Sequence, residues 1–475
     1  MILKVAIVIV TWNKKSDVLN LLGALKSLNY DNFDIIVVDN ASTDRSADEV
    51  ASVYPDVTLI INTENLGGAG GFKTGMNYAL QKAAYRYIWL LDNDAMVEND
   101  TLLQLVTVAE RDERIGIAGS LILNPDKPGM IVELGAFVAW DLGTWKPHLR
   151  SASISIVPQD AVVEVDYVPA CSALIRTDAL KKSGVMDARF FLHWDDIDLC
   201  LRIKEAGYKV VAVSRSRVYH GVEKGFNPVL AYYDIRNGLL AISMHTRYVK
   251  KVMYVLNMLR GTIKGIVYSY VVRLRGIGFL LVKSVHDFVR GRFYKINLTR
   301  KLKFVFEGGG PPLPLTDVLQ GALPRILILP NGNAGEIASL VTTVKDHQKE
   351  ARITLLIQAD RKNLFDGLGI DEFIIFDSYR QSILHTISVM ARILSSRYDC
   401  VISPSMSPLP FSYAARKYFL FDVKAGSFYE NKENLSRAWK LPLIVLSAEL
   451  LSLILFPPVY WASIKHRKPD SSLNG

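Results

Sequence analysis

The first 125 residues alternate between two patterns, and that alternation constrains the fold more than any other feature of the chain. "VAIVIV" (5–10), "DIIVVD" (34–39), "VTLII" (57–61) and "YIWLLD" (87–92) are short, nearly continuous apolar runs, the pattern of strands buried on both faces. Helix-like stretches separate them, such as "SDVLNLLGALKSL" (16–28), which opens on Ser16 and Asp17 as candidate caps. Strand alternating with helix implies crossover connections and a parallel, doubly wound α/β sheet. Ligands of such sheets bind beyond the carboxyl ends of the strands. The residues that follow each strand are therefore where function is expected.

With 475 residues the chain exceeds one ordinary core. Residues 1–245 form the first unit, its second half more mixed, with "AVVEVDYVPACSALIRTDAL" (161–180) reading as a strand pair running into a helix. Residues 246–306 are basic. From Arg247 to Lys301 there are thirteen Lys or Arg against one acid, Asp287, a larger surplus than the +9 of the whole chain. Apolar and aromatic residues interleave with these charges, which suits an amphipathic helical surface on anionic lipid or an ordinary helical region with a solvated basic face. No DNA- or RNA-binding motif accompanies the charge, so nucleic acid is not an expected partner. A Gly/Pro linker spans 307–322, and a second alternating region (323–430) reads as a small Rossmann-like α/β domain. In that domain "PNGNAGE" (330–336) is either a ligand loop or a turn. Residues 441–463 are apolar except for Glu449. That is about long enough to span a bilayer, but Glu449 and Pro457–Pro458 argue against a simple span, which leaves a re-entrant or interfacial anchor as the alternative. Three separated cysteines, with no CxxC pair, suggest neither a disulfide framework nor a zinc site. The apolar run after Lys4 lacks a small-residue cleavage site and reads as a strand, not a signal peptide.

Several strand ends carry chemistry. "YIWLLD" runs into Asp92-Asn93-Asp94, two carboxylates around one residue, suited to a hard divalent cation that bridges a diphosphate. "DIIVVD" ends at Asp39 and continues as "NASTD", which suits contact with a base or ribose, while Ser42, Thr43 or Asp44 can equally cap a helix. "NLGGAGGFKTGMN" (65–77) does not fit GxGxxG, since Lys73 stands where a third glycine would be needed, so a dinucleotide cofactor is not expected. Its glycines still let backbone approach a sugar or diphosphate, or simply serve a tight turn. His220, after the strand "KVVAVS", is an imidazole candidate for the cation of Asp92 and Asp94, or a plain strand-end histidine.

"FFLHWDDIDLCLR" (190–202) crowds Asp195, Asp196 and Asp198 behind an aromatic cluster. Carboxylates are favoured at a helix start, and Asp198 can pair with Arg202 one turn on. "FFLHW" would wall a pocket, at whose end a carboxylate can accept a proton from an attacking hydroxyl.

Taken together, "VIVTWN", "VVDNASTD", "NLGGAGGF", "LLDNDA", "FLHWDDIDLCLR" and "YHG" occur in the order seen in family 2 glycosyltransferases of the GT-A fold, which the first 240 residues or so resemble. "GGAGGF" with "HWDD" most resembles the galactofuranosyltransferase branch, with rhamnosyltransferases close by. "YYDIRNGL" (232–239) looks like the stretch that follows the catalytic region in these enzymes. The resemblance implies that Thr11, Asn13, Asp39 and Asn93, with Asn65, Gly67, Gly68, Gly70 and Gly71, face the nucleotide donor. It implies that Asp92, Asp94 and His220 hold Mn²⁺ or Mg²⁺, and that Asp196 is the general base, with Asp195 beside it. Asp195, Trp194 and His193 would shape the acceptor site. The middle residue Asn93 stands where many relatives carry Asp.

The implied reaction is inverting transfer of a sugar, galactofuranose from UDP-galactofuranose foremost, to a glycan or polysaccharide hydroxyl; the basic segment and the C-terminal apolar stretch suggest that this acceptor is lipid-linked and met at the cytoplasmic face of the membrane. Homo-oligomers are compatible with this reading. The alternatives are a rhamnosyltransferase using dTDP-rhamnose and, more remotely, a non-catalytic glycan-binding protein. A sugar nucleotidyltransferase is disfavoured, because no Gly-rich loop with a basic residue follows the first strand.

Overall fold

A computed structural model describes residues 3–82, 85–221, 227–271 and 275–298. Beyond these it describes 313–319, 324–329, 334–357, 362, 364–375, 388–389, 391–393, 395–403, 415–422, 427–430 and 441–466. The expected linker lies largely outside the described residues, as do the first four positions of "PNGNAGE".

The chain opens with β1 (Val5–Thr11), α1 (Lys15–Leu25), β2 (Phe33–Asp39), α2 (Ser46–Val53), β3 (Thr58–Ile61), α3 (Gly67–Gln81) and β4 (Tyr87–Asp92). It continues with β5 (Met96–Val97), α4 (Thr101–Arg111), β6 (Ile115–Asn124), β7 (Lys127–Glu133), β8 (Ala136–Ala139), β9 (Thr144–Pro147) and β10 (Val162–Glu164). Then come β11 (Ser172–Arg176), α5 (Thr177–Ser183), α6 (Asp195–Glu205), β12 (Lys209–Tyr219) and α7 (Pro228–His245). The main sheet runs β10-β12-β6-β11-β4-β1-β2-β3, with β5 on β12 and β7 on β6. Strands β3, β2, β1 and β4 are mutually parallel, while β11 is antiparallel to both β4 and β6. The apolar runs are explained by two cores. Ala6, Val8, Ile88 and Leu90 face one, and Val5, Ile7, Ile9, Trp89 and Leu91 face the other.

The register brings the carboxyl ends together. Thr11 lies opposite Asp39, and Val10 lies opposite Asp92. Helix α1 departs from the expectation at its start. Its N-cap is Lys14, with Asp17 in the first turn, and the Lys15 amide is held from outside by Asp44 Oδ2 at 3.0 Å. Asp44 also accepts the Ser46 amide at 3.0 Å, so one carboxylate serves the starts of α1 and α2. Two orphan donors at separate helix starts are more economically met by one shared acceptor than by a local cap on each.

Helices α8 (Tyr248–Val271) and α9 (Arg275–Arg290) take up the basic segment. After a short α10 (Leu315–Val318) come β13 (Arg325–Ile328), α11 (Ala334–His347), β14 (Arg352–Ile357), β15 (Glu372–Ile375), β16 (Tyr398–Ser403), β17 (Ala415–Asp422) and β18 (Ser427–Glu430). These strands form a second sheet, β15-β14-β13-β16-β17-β18, with its own core around Ile326, Ile328, Leu340, Ile353 and Leu355. The last helix, α12 (Leu441–Lys465), continues through Pro457 and Pro458. It packs on α8 and α9, which in turn pack on α7. Among the described residues, no helix is long and apolar enough to cross a membrane.

Candidate active site

Three side chains converge at the ends of β4 and β12. His220 Nε2 lies 3.1 Å from Asp94 Oδ1 and 3.6 Å from Asp92 Oδ2. Their candidate ligand atoms all fall within 4.8 Å of one another. The His220 amide donates to Leu123 O at 3.1 Å, which fixes the backbone from which the ring reaches in. Burial pushes the Asp92 carboxyl up to about 6 against the pull of His220, whereas the hydrogen bond from His220 lowers Asp94. Two carboxylates and one imidazole are a donor set that suits Mn²⁺ or Mg²⁺. The residues fit the expected cation.

The neighbouring strand ends supply a polar cradle. Asp39 is 1% exposed, and its Oδ2 accepts the Ser42 amide at 2.9 Å. Among the described residues its Oδ1 has no hydrogen-bond partner, the condition of an acceptor awaiting a ligand N–H or O–H. Asn13, at φ 53°, receives the Thr43 amide on Oδ1 at 2.7 Å and donates its own amide to Ser42 Oγ at 2.9 Å. Asn93 Nδ2 donates to Thr11 Oγ1 at 3.1 Å, tying the β4 end to the β1 end. Asn65 Oδ1 accepts the Gly67 amide at 2.8 Å and so shapes the turn into α3.

The glycines of that turn divide by surroundings. Gly67 has φ +74°, and a Cβ there would stand 2.1 Å from Phe191 O. A Cβ on Gly68 would stand 3.8 Å from the Asp195 carboxylate, so this turn borders the acid pair. Gly70 and Gly71 are buried in the first turns of α3, where a side chain would strike Leu66 and Val10 respectively.

The "WDD" acids part company in the fold. Trp194 is the N-cap of α6, and Asp195, Asp196 and Asp198 occupy its first turn. Asp198 is structural. Burial would raise its pKa, but Arg202 at 2.7 Å and His245 Nε2 at 2.9 Å hold it down at about 2. Asp196 accepts the Ile197 amide at 2.8 Å and the Ala170 amide at 3.4 Å; burial still raises its pKa. Burial and the adjacent Asp196 charge push Asp195 up to about 7. Asp92 feels the charge of Asp196, which joins the acid pair electrostatically to the cation-binding residues. His193 Nδ1 lies 2.7 Å from Asp234 Oδ1, and Trp194 is buried, its Nε1 without a hydrogen-bond partner among the described residues.

Two residues of this pocket had no motif to announce them. Glu133, at the end of β7, is 8% exposed and receives the Tyr167 hydroxyl at 3.4 Å. Burial and the charge of Asp196 raise it to about 7. Trp145, on β9, stands edge-on to Trp194 at 5.5 Å and to His193 at 6.3 Å between ring centroids. A lone acid in the apolar run "GMIVELG" was the available signal for Glu133; Trp145 left none.

The family description "Glycosyl transferase family 2" matches residues 6–180, which hold β1 to β4 and the Asp92–Asp94 pair. Residues 6–180 belong to glycosyl transferase family 2. The chain is 25% identical over 265 residues to galactofuranosyltransferase GlfT2 of Mycolicibacterium smegmatis, covering 51% of this chain and 41% of that one. Against galactofuranosyltransferase GlfT1 of the same organism it is 27% identical over 252 residues, with 51% and 76% covered. Against the N-acetylglucosaminyl-diphospho-decaprenol L-rhamnosyltransferase of Mycobacterium tuberculosis the figures are 24% over 239 residues, with 45% and 75% covered. The chain thus spans less than half the length of GlfT2. The GT-A-like α/β expectation for the first unit and the family expectation both hold.

Proposed function

We propose that the chain is an inverting, cation-dependent glycosyltransferase that moves a sugar from a nucleoside-diphosphate donor to an acceptor hydroxyl. One observation carries this reading: Asp39, the Asp92–Asp94–His220 group and the Asp195–Asp196 pair lie around one end of one sheet. A divalent cation held by Asp92, Asp94 and His220 would neutralise charge on the departing diphosphate. Asp39 Oδ1, buried and without a partner among the described residues, accepts from the base or ribose, and the Gly67–Gly68 turn lets the donor approach the backbone. Asp196 takes the proton of the acceptor hydroxyl as its oxygen attacks the anomeric carbon, and the bond from that carbon to the diphosphate breaks. Burial and the adjacent Asp196 charge favour the protonated form of Asp195, which can then donate to an acceptor oxygen. Trp194 and Trp145 supply apolar faces against which a sugar ring lies.

The preferred donor is UDP-galactofuranose, supported by "GGAGGF" with "HWDD" and by the similarity to two galactofuranosyltransferases; dTDP-rhamnose is the second reading, supported by the similarity to a rhamnosyltransferase. The test is release of UDP or dTDP from each donor with Mn²⁺ or Mg²⁺ and membrane lipid extract as acceptor. Cation-dependent release from one donor, lost in Asp196→Asn, establishes both sugar and base. Release that persists in Asp196→Asn removes Asp196 from the role.

A lipid-linked acceptor, met at the cytoplasmic membrane face, completes the proposal. Its support is the helical layer: α12 exposes Leu450, Leu453, Ile454 and Trp461, and α8 exposes Val249, within the segment that holds the basic surplus. Apolar side chains among cations suit an anionic bilayer surface. Vesicles of anionic lipid should sediment the full chain at low salt, and neutral vesicles should do so less. Equal recovery in the supernatant with both overturns this part.

A further inference from the structure

The segment that carries the acid pair is bent against its own preference. Phe191, His193 and Trp194 all have left-handed backbone, at φ 64°, 63° and 69°, and none is glycine. Three such residues within four positions persist only where surrounding structure holds them. What holds them is one turn of α7, within the "YYDIRNGL" stretch to which the motifs assigned no role.

Asn237 is fully buried, and its Nδ2 donates to the carbonyls of Phe190 at 2.8 Å, Leu192 at 2.8 Å and His193 at 2.9 Å. Two hydrogens are thus shared among three acceptors on the bent segment. The amide cannot turn over, because its Oδ1 accepts from Arg236 Nε at 2.9 Å and Nη2 at 2.8 Å. Arg236 is itself fully buried and donates to the carbonyls of Phe190 at 2.9 Å, Arg189 at 3.2 Å and Tyr294 at 2.7 Å. Among the described residues no carboxylate forms an ion pair with it; the ring faces of Tyr232 and Tyr233 flank the guanidinium instead. Gly238 leaves room for the indole: a Cβ there would stand 3.3 Å from Trp194 Cζ2 and 2.6 Å from Met258 Cε. On the opposite side, Phe191 O accepts the Ala69 amide at 3.3 Å, from the same glycine turn that borders the donor cradle.

Among the described residues the nearest charge partner, Asp287, reaches Arg236 only through the Tyr232 hydroxyl, and a buried guanidinium so placed costs more than apolar side chains would in a core. Here it donates to the bent segment at Arg189 O and Phe190 O, braces Asn237 Oδ1 and ties the segment to Tyr294 O. We propose that Arg236, Asn237 and Gly238 are positioning residues that hold Trp194, Asp195 and Asp196 in register with the donor turn of α3. They act through the backbone of residues 189–193 and through the indole of Trp194, and none of them touches substrate. This rests on the reading of Asp196 as the base and extends it, since it places acceptor geometry under the control of α7.

The test uses the full chain and Asn237→Asp, which keeps the shape and the acceptor for Arg236 but removes both N–H donors. The expected result is a fall in kcat of about 100-fold, the scale on which a misplacement of about 1 Å acts. UDP–Mn²⁺ affinity by calorimetry should stay within about twofold of the parent. Hydrogen–deuterium exchange should rise in the amides of residues 190–196 and stay unchanged in β1 and β4. Unchanged exchange at 190–196 overturns the proposal, as does a loss of UDP–Mn²⁺ binding in step with kcat, which a general collapse would produce. If Asn237→Asp does not fold, Gly238→Ala carries the test, because it leaves the hydrogen bonds in place and crowds the Trp194 indole, with a methyl 3.3 Å from Cζ2 and 2.6 Å from Met258 Cε. It should lower kcat with UDP–Mn²⁺ affinity kept, and an unchanged kcat counts against the proposal. Should the parent protein release no nucleoside diphosphate from any donor, the functional reading fails. The exchange measurement then still decides whether α7 holds the segment.

Discussion

The two sheets of this protein share a winding and differ in what stands at their strand ends. In the first, the order β3-β2-β1-β4 puts the first strand at the centre; in the second, β15-β14-β13-β16 does the same. Both therefore create the kind of crevice at which α/β proteins bind ligands. In the first sheet the central strands end in Thr11, Asp39 and Asp92; in the second, the corresponding described strands end in Ile328, Ile357 and Ser403. The first adds the antiparallel β11 and the long β12, which deliver the acid pair's neighbour Ala170 and the imidazole of His220 to the same end. Topology offers a place, and side chains decide whether chemistry occurs there.

The comparison breaks most readily at Asp196. Asp196→Asn should lower kcat by about 10²–10⁴-fold, the usual contribution of general-base help, with UDP–Mn²⁺ binding retained in calorimetry. Glu372→Gln, in the second sheet, should leave turnover within about twofold. If the second substitution costs as much as the first, the division between the sheets is wrong. The next largest effect belongs to the cation-binding residues. Asp94→Ala, or chelation of the parent protein, should weaken donor binding by about tenfold or more, seen as a lost response to Mn²⁺ in a UDP titration. Donor affinity that ignores Mn²⁺ would remove that group from the mechanism.

A third outcome concerns pH. Asp196 must be ionised to accept a proton, and burial raises its pKa, so the acid limb of the kcat profile should lie above the ordinary value of 3.8. A limb at or below that value would assign the limb to another group. The smallest effect separates the site from its scaffold. His245 is lifted from 6.5 to about 9 by its bonds to Asp198 and Glu205, which outweigh burial. Its stabilising contribution is complete below pH 6.5 and is lost as pH rises through about 9. His245→Gln should thus lower Tm at pH 6 and do so progressively less toward pH 10. A constant difference would show that His245 contributes by packing alone.

Local pattern made much of this legible. The apolar runs of β1, β2 and β4 were readable because each strand must bury both faces, Asp92 and Asp94 because they end or closely follow such a run, and His220 because it follows the strand that opens with "KVVAVS". Asp198 was readable too, since Arg202 stands one helical turn away. Other features had no local signature. Asp44 serves an amide twenty-nine residues earlier. Asn237 bonds carbonyls forty-four to forty-seven residues away, and Trp145 on β9 meets Trp194 at the start of α6.

The sequence by itself determined the winding of the first sheet and the identity of the residues at its strand ends. Periodicity and strand termination act over a few neighbouring residues, where pattern and structure coincide. Only the tertiary structure decided which of three crowded aspartates is structural, that Glu133 joins the acid pair, and that α7 holds the bent segment in place. Those outcomes depend on burial and on hydrogen bonds between distant parts of the chain, and both exist only once the chain has packed.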